Sequence, residues 1–132
     1  MTKTWVDCVQ EFQERFGQSY EGRPRELPAS VASLRKKLIA EEAEELVLAI
    51  DRGELHEQLD AIVDLLYVTI GTATAAGFGP VLDEAFRRVH ATNMTKVSVP
   101  SRHGSKRDSQ WDIVKPEGWT KPDLRDLVEE RP

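Results

Sequence analysis

Over the first ninety residues the apolar positions recur at spacings of three and four, the period of helices with one face turned inward, and no stretch alternates as a strand. Trp5, Val9, Phe12 and Phe16 line one face of a predicted first helix, 4–16, which Gly17 stops. Gly22, Pro24 and Pro28 mark 17–28 as a loop. Ser30 is placed to cap a second helix that runs to Asp51 and ends at Arg52-Gly53. A third helix is predicted from Glu54 to Ala76, closed by Gly77 and Gly79, and Pro80 suits the first turn of a fourth that reaches Met94. Connections this short make neighbouring helices antiparallel, so the pattern predicts an all-α four-helix bundle. Beyond Met94 the periodicity ends. Pro100, Gly104, Pro116 and Gly118 make 95–120 an irregular arm, with a short hairpin expected around Arg102 to Ile113. Thr120 and Asp123 form an expected capping box for a short final helix through Glu129.

Composition narrows the class. With 132 residues, 39% of them hydrophobic and 31% charged, the chain has the length and balance of one globular domain. Leu59 to Phe78 is the most apolar stretch, but Asp60 and Asp64 interrupt it, so it reads as a buried helix rather than a membrane span. One cysteine, Cys8, allows no internal disulfide and is expected in the core; without a leader pattern at the N-terminus, the expected compartment is the cytoplasm. The net charge of −5 hides an asymmetry. From Leu38 to Asp64 there are nine acidic residues against Arg52 alone, whereas from Arg87 to Lys121 eight Lys or Arg stand against Asp108, Asp112 and Glu117. An acidic centre with a basic arm is the charge pattern that a metal-bound polyphosphate requires. The overall negative charge argues against a continuous nucleic-acid footprint.

Where the acids fall on the helices sharpens the point. On the second helix Glu42 and Glu45 interrupt the apolar sector of Val31, Leu34, Leu38, Leu46 and Ala49, Glu41 borders it, and Glu44 lies outside. On the third, Leu59, Ile62, Val63, Leu66, Ile70 and Ala73 share the face expected to meet the core, other apolar residues extend round most of the circumference, and Glu57, Asp60 and Asp64 collect in one narrow strip. Carboxylates in apolar surroundings need a compensating charge. If the two strips face each other, four or five oxygen donors converge, and a hard oxygen set without cysteine or paired histidine favours Mg²⁺, or Mn²⁺. His56, His90 and His103 have no metal-ligand spacing.

These residues match a known pattern. Glu41-Glu42-Ala43-Glu44-Glu45, followed by Asp64-Leu65-Leu66-Tyr67, resembles the E-E-x-x-E and E-x-x-D-x-x-Y signatures of the MazG-like superfamily of all-α nucleotide pyrophosphohydrolases. That superfamily includes MazG proteins, phosphoribosyl-ATP pyrophosphatase, dCTP pyrophosphatases and dimeric dUTPases. The stretch V-H-A-T-N-M-T-K from Val89, and K-P-E-G-W from Lys115, is similar to the bacterial and phage MazG-like branch with dUTPase-like members. The resemblance extends from about Phe12 to Asp126, with one departure: the signature's glutamate would fall at position 61, which is Ala61.

The resemblance implies a single pyrophosphohydrolase domain over 1–132 that cleaves nucleoside triphosphates between the α and β phosphates, with a house-cleaning role or a narrower, dUTPase-like specificity. It implies Mg²⁺ held by Glu42, Glu45 and Asp64, with Asp60 or alternatively Glu57 as the fourth ligand, and Glu41 as partner of the attacking water. Lys96 and Lys115 would hold phosphates, and Asn93 would read sugar or base. Trp111 and Trp119 are expected to stack on a base or to anchor the arm. The apolar circumference of the third helix, together with the resemblance, predicts a homodimer or higher homo-oligomer. A non-catalytic helical interaction module is the alternative outside the enzyme class.

Overall fold

The computed structural model describes residues 2–129. Among them are five α-helices, α1 (Trp5–Arg15), α2 (Ala29–Arg52), α3 (Leu55–Ala75), α4 (Leu82–Asn93) and α5 (Arg125–Val128), and two short strands, β1 (Val97–Ser98) and β2 (Ile113–Val114). The class is all-α, as the periodicity predicts. No single described helix is long and apolar enough to cross a membrane. The chain divides into two compact units, Met1–Pro80 and Val81–Pro132.

In the first unit α3 is the central element, with α1 and α2 packed on it. α2 and α3 form an antiparallel pair about Gly53, which adopts the left-handed conformation at the end of α2. Helix ends fall within two residues of those the sequence predicts, but their caps differ. Ser30 lies inside α2, and Pro28 occupies the N-cap without a side-chain bond. Thr4, expected as the first residue of the helix, is instead the cap of α1: its hydroxyl accepts from the Asp7 amide at 3.1 Å while the Asp7 carboxylate accepts from the Thr4 amide at 3.0 Å.

The loop 17–28 is pinned to the C-terminus of α3. Arg25 lies 3.5 Å over the Tyr20 ring, donates from Nε and Nη2 to the Ala75 carbonyl, and gives its amide to the Ala76 carbonyl at 2.9 Å. A cation at the helix C-terminus answers both the unpaired carbonyls and the helix dipole. Gly77 follows with φ +80°, and a β-carbon there would sit 2.6 Å from the Arg23 carbonyl oxygen, so this close crossing requires glycine.

The core is placed differently from the expectation. Val9 on α1 is buried, but Trp5, Phe12 and Phe16 are exposed, and so is Cys8, which was expected inside. On α3 the side turned to α1 and α2 carries Ala61, Gly71, Thr74 and Ala75, whereas Leu55, Leu59, Ile62, Val63 and Leu66 are exposed. The helix is thus rotated so that its acidic, small-residue side meets its neighbours. Small side chains there admit close approach, and buried polar groups complete the fit: Gln13 Nε2 donates to the Gly71 carbonyl at 2.9 Å and Gln13 Oε1 accepts from Thr74 Oγ1 at 2.7 Å. Both side chains are satisfied, as burial demands.

The second unit holds α4, which begins after a 3₁₀ turn over Gly79–Val81, and the arm. The hairpin is wider than expected: β1 and β2 pair antiparallel with Val97 opposite Val114. Its loop is knotted by Asp112, which accepts from Ser105 Oγ at 2.6 Å and Arg107 Nη2 at 2.7 Å. Thr120 does not cap the last helix, which starts at Arg125. Asp123 takes that role by accepting from the Arg125 amide at 3.0 Å. Arg88 ties α5 to α4 through a forked pair with Asp126, at 2.6 and 3.0 Å, and is itself held by Glu84 one turn earlier on α4.

Candidate active site

Glu42 and Glu45, three residues apart, stand on one side of α2, and the antiparallel turn at Gly53 brings Asp64 of α3 against them. One carboxylate oxygen from each of the three lies within 4.8 Å of the other two. Glu42 and Asp64 are half-buried and Glu45 is exposed, so the cluster opens to solvent on one side. Among the described residues no Lys, Arg or His forms an ion pair with any of the three.

Burial and like charge act together on this group. Burial pushes the Glu42 carboxyl above its usual range, and the neighbouring Glu45, Asp64 and Glu41 charges push it further. Burial likewise raises Asp64, with Asp60 and Glu45 adding repulsion. Glu42 Oε2 is buried without a hydrogen-bond partner. A buried oxygen acceptor with nothing to accept from, beside two more carboxylates, is a donor set suited to a hard divalent cation bound at about 2.0 to 2.6 Å.

The other expected site residues occupy distinct places. Asp60, one turn before Asp64, is exposed and acts on Asp64 but stands outside the three-carboxylate set. Glu41 is exposed beside Glu42. Glu57 belongs to a second group with Glu54 and His56, all exposed, in which His56 Nε2 lies 3.3 Å from Glu57. That is an ordinary surface arrangement with no buried orphan atom. A cleft of about 490 Å³ runs along α2 and α3, walled by Glu45, Leu48, Ala49, Arg52, Glu57 and Asp60 among others, with buried Ala61 at its floor. Ala61, at the position where the signature would place glutamate, is one of the residues that line this cleft.

Asn93, exposed at the end of α4, and Lys96 and Lys115 belong to the second unit. Both lysine ammoniums sit over the ring of Trp119, at 5.2 and 5.1 Å from its centroid. Trp119 anchors the arm by donating from Nε1 to the Thr92 carbonyl at 3.0 Å, whereas Trp111 is 82% exposed. Arg35 was not foreseen. It lies on α2 two turns before Glu42, is 8% exposed, and donates to the Val68 carbonyl at 3.4 Å, with no carboxylate partner among the described residues. Burial lowers its pKa. Only the spacing of seven from Glu42 hinted that it shares the seam.

A family model described as phosphoribosyl-ATP pyrophosphohydrolase matches residues 9–93, which contain the C-terminal part of α1, the whole of α2 to α4, and all three clustered carboxylates. No curated protein matches the chain. The family belongs to the MazG-like all-α superfamily and is typically dependent on a divalent metal, which agrees with the chemistry of the Glu42, Glu45 and Asp64 set. The match covers well over half of the chain, and the chain belongs to the phosphoribosyl-ATP pyrophosphohydrolase family.

Proposed function

We propose that the protein is a Mg²⁺-dependent nucleoside triphosphate pyrophosphohydrolase that cleaves between the α and β phosphates, releasing a nucleoside monophosphate and pyrophosphate in nucleotide-pool house-cleaning. The observation that carries this reading is the convergence of Glu42, Glu45 and Asp64 around the unpartnered Glu42 Oε2. Glu42, Glu45 and Asp64 would hold the metal, with Asp60, one turn before Asp64, as the fourth ligand. Bound there, a divalent ion supplies charge neutralisation for the phosphates and lowers the pKa of a water. Glu41, on the solvent side of Glu42, orients the attacking water and takes its proton. Asn93, Lys96 and Lys115 are the substrate ligands of the second unit, the lysines as point charges for phosphate.

Pyrophosphate release from a panel of canonical and modified nucleoside triphosphates, dUTP included, tests the reading. Activity should require Mg²⁺ and fall by about 100-fold or more in Asp64→Asn and Glu45→Gln, the scale on which single electrostatic interactions act in transition states. Full activity in either folded variant would remove the metal assignment. Phosphoribosyl-ATP belongs in the same panel because the matched family bears its name. Turnover of that compound alone would replace the triphosphate reading, and turnover of dUTP alone would narrow it.

A further inference from the structure

The register of the hairpin sets two like charges against each other. Val97 pairs with Val114 and Ser98 with Ile113, so the residues that flank the ladder at its outer end, just beyond the two strands, are Lys96 and Lys115. Like charges brought together across paired strands destabilise them. Among the described residues no carboxylate pairs with either lysine. What meets both ammoniums is the Trp119 ring, at about the same distance from each.

The chain around Trp119 is built to present that ring. A turn brings the Trp119 amide back to the Pro116 carbonyl at 3.1 Å, and Gly118 supplies the φ of +80° that such a turn requires at its third position. The indole N–H is bonded to the Thr92 carbonyl in the last turn of α4. Pinned at its backbone and at its ring edge, the indole is left with its π system for cations. Each ammonium lies about 5 Å from the centroid, so no more than twice that distance separates the two. An aromatic face offsets only a small part of the repulsion between two full positive charges. A multiply charged anion with oxygens for both offsets the rest.

We propose that Trp119 is a positioning residue that gathers Lys96 and Lys115 into a two-ammonium clamp for a polyphosphate chain. The clamp deepens, and rests on, the reading of the substrate as a nucleoside triphosphate. Its three residues lie outside the matched segment 9–93.

Inorganic tripolyphosphate, titrated by calorimetry into the full chain in the presence of EDTA, isolates the clamp from the metal. Lys96→Gln with Lys115→Gln should weaken binding by about 100-fold, roughly tenfold for each charge-assisted hydrogen bond removed. Trp119→Leu should weaken it by about tenfold although both lysines remain, and Trp119→Phe, which keeps a ring but removes the bond to Thr92, should recover most of that affinity. Trp111→Phe serves as the control and should bind as the wild type does. A purely structural Trp119 gives another pattern, in which Trp119→Phe and Trp119→Leu reduce thermal stability alike and phosphate affinity does not follow the ring. That pattern, or wild-type affinity in the double lysine variant, overturns the proposal. Should Trp119→Leu fail to fold, Trp119→Phe and the lysine variants still decide it. Loss of tripolyphosphate binding in the double lysine variant, with no pyrophosphate released from any nucleotide by the wild type, would support the clamp while removing the substrate class.

Discussion

Glu42 Oε2 is buried with no donor to meet it, and the charges that act on Glu42 are carboxylates. Without metal this is an unfavourable arrangement: burial raises the Glu42 and Asp64 pKa values above those of the unfolded chain. A raised carboxyl pKa means that the folded state holds its proton to higher pH. Stability from these groups is therefore full below the unfolded pKa and is lost as pH rises through the folded one. In EDTA the melting temperature should fall across the window just above the ordinary carboxylate range. Glu42→Gln should flatten that slope and raise the melting temperature at neutral pH by a few degrees, equivalent to about 1 kcal/mol, because an amide can donate to Glu45 or Asp64 where a carboxylate repels them. Mg²⁺ should stabilise the wild type and stabilise Glu42→Gln less. Scanning calorimetry at several pH values checks all three outcomes, and a rising apo profile through that window would contradict the first. The acid strips of α2 and α3 were legible because charge in an apolar sector is conspicuous on a helical projection. Arg35 was harder to see: its spacing of seven from Glu42 puts it in the seam, but a long cationic side chain on a helix beside the exposed Lys36 and Lys37 reads first as a solvated group.

The helices show why boundaries were easier to read than orientation. Gly17, Gly53 and Gly77 punctuate the chain at the ends of α1, α2 and α3, so these ends followed from local chemistry. The rotation of α3 did not. Its apolar residues run around most of its circumference, so a projection alone does not choose which side meets α1 and α2. Small size decided it, and Gly71 is the tightest point. A β-carbon at Gly71 would lie 2.6 Å from Arg35 Nη1 and 3.4 Å from Gln13 Nε2. Alanine gains about 1 kcal/mol over glycine in a helix interior, and overpacking costs about 1 to 3 kcal/mol. Arg35 has a flexible tip, but at 8% exposure it has little room to withdraw, so the overpacking should prevail. Gly71→Ala is expected to destabilise the protein by about 1 kcal/mol in denaturant titration. In an Arg35→Leu background, where the obstructing guanidinium is gone, the same substitution should be neutral or stabilising, which makes the pair strongly non-additive. Additivity would mean that Arg35 does not set the spacing of α2 and α3.

For the whole molecule, the rotation of α3 has a consequence outside the chain. Leu55, Leu59, Ile62, Val63 and Leu66 follow one another at helical spacing and are 80%, 65%, 44%, 49% and 41% exposed. Val47 and Ile50 on α2 are exposed as well, at 59% and 58%. Scattered apolar residues on a surface are normal, but a continuous stripe along a central helix is a surface that water disfavours. Covering one leucine fully contributes about 1.5 to 3 kcal/mol, so a two-fold contact that buries this stripe on both copies has enough apolar area for a stable dimer. The occupant favoured by the stripe is a second copy of the chain, since α3 meeting its own equivalent is self-complementary and leaves the carboxylate side of α3 against α2. Sedimentation equilibrium at micromolar concentration should then give about twice the 14.9 kDa chain mass, and Leu59→Glu, which places a charge in the middle of the stripe, should shift the population toward the single chain. Because Leu59 is 65% exposed in the isolated chain, the substitution should leave the helical circular dichroism of the first unit largely intact. A wild-type mass of 14.9 kDa would mean that α3 carries its apolar stripe for another occupant. A dimer indifferent to Leu59→Glu would place the contact on another face.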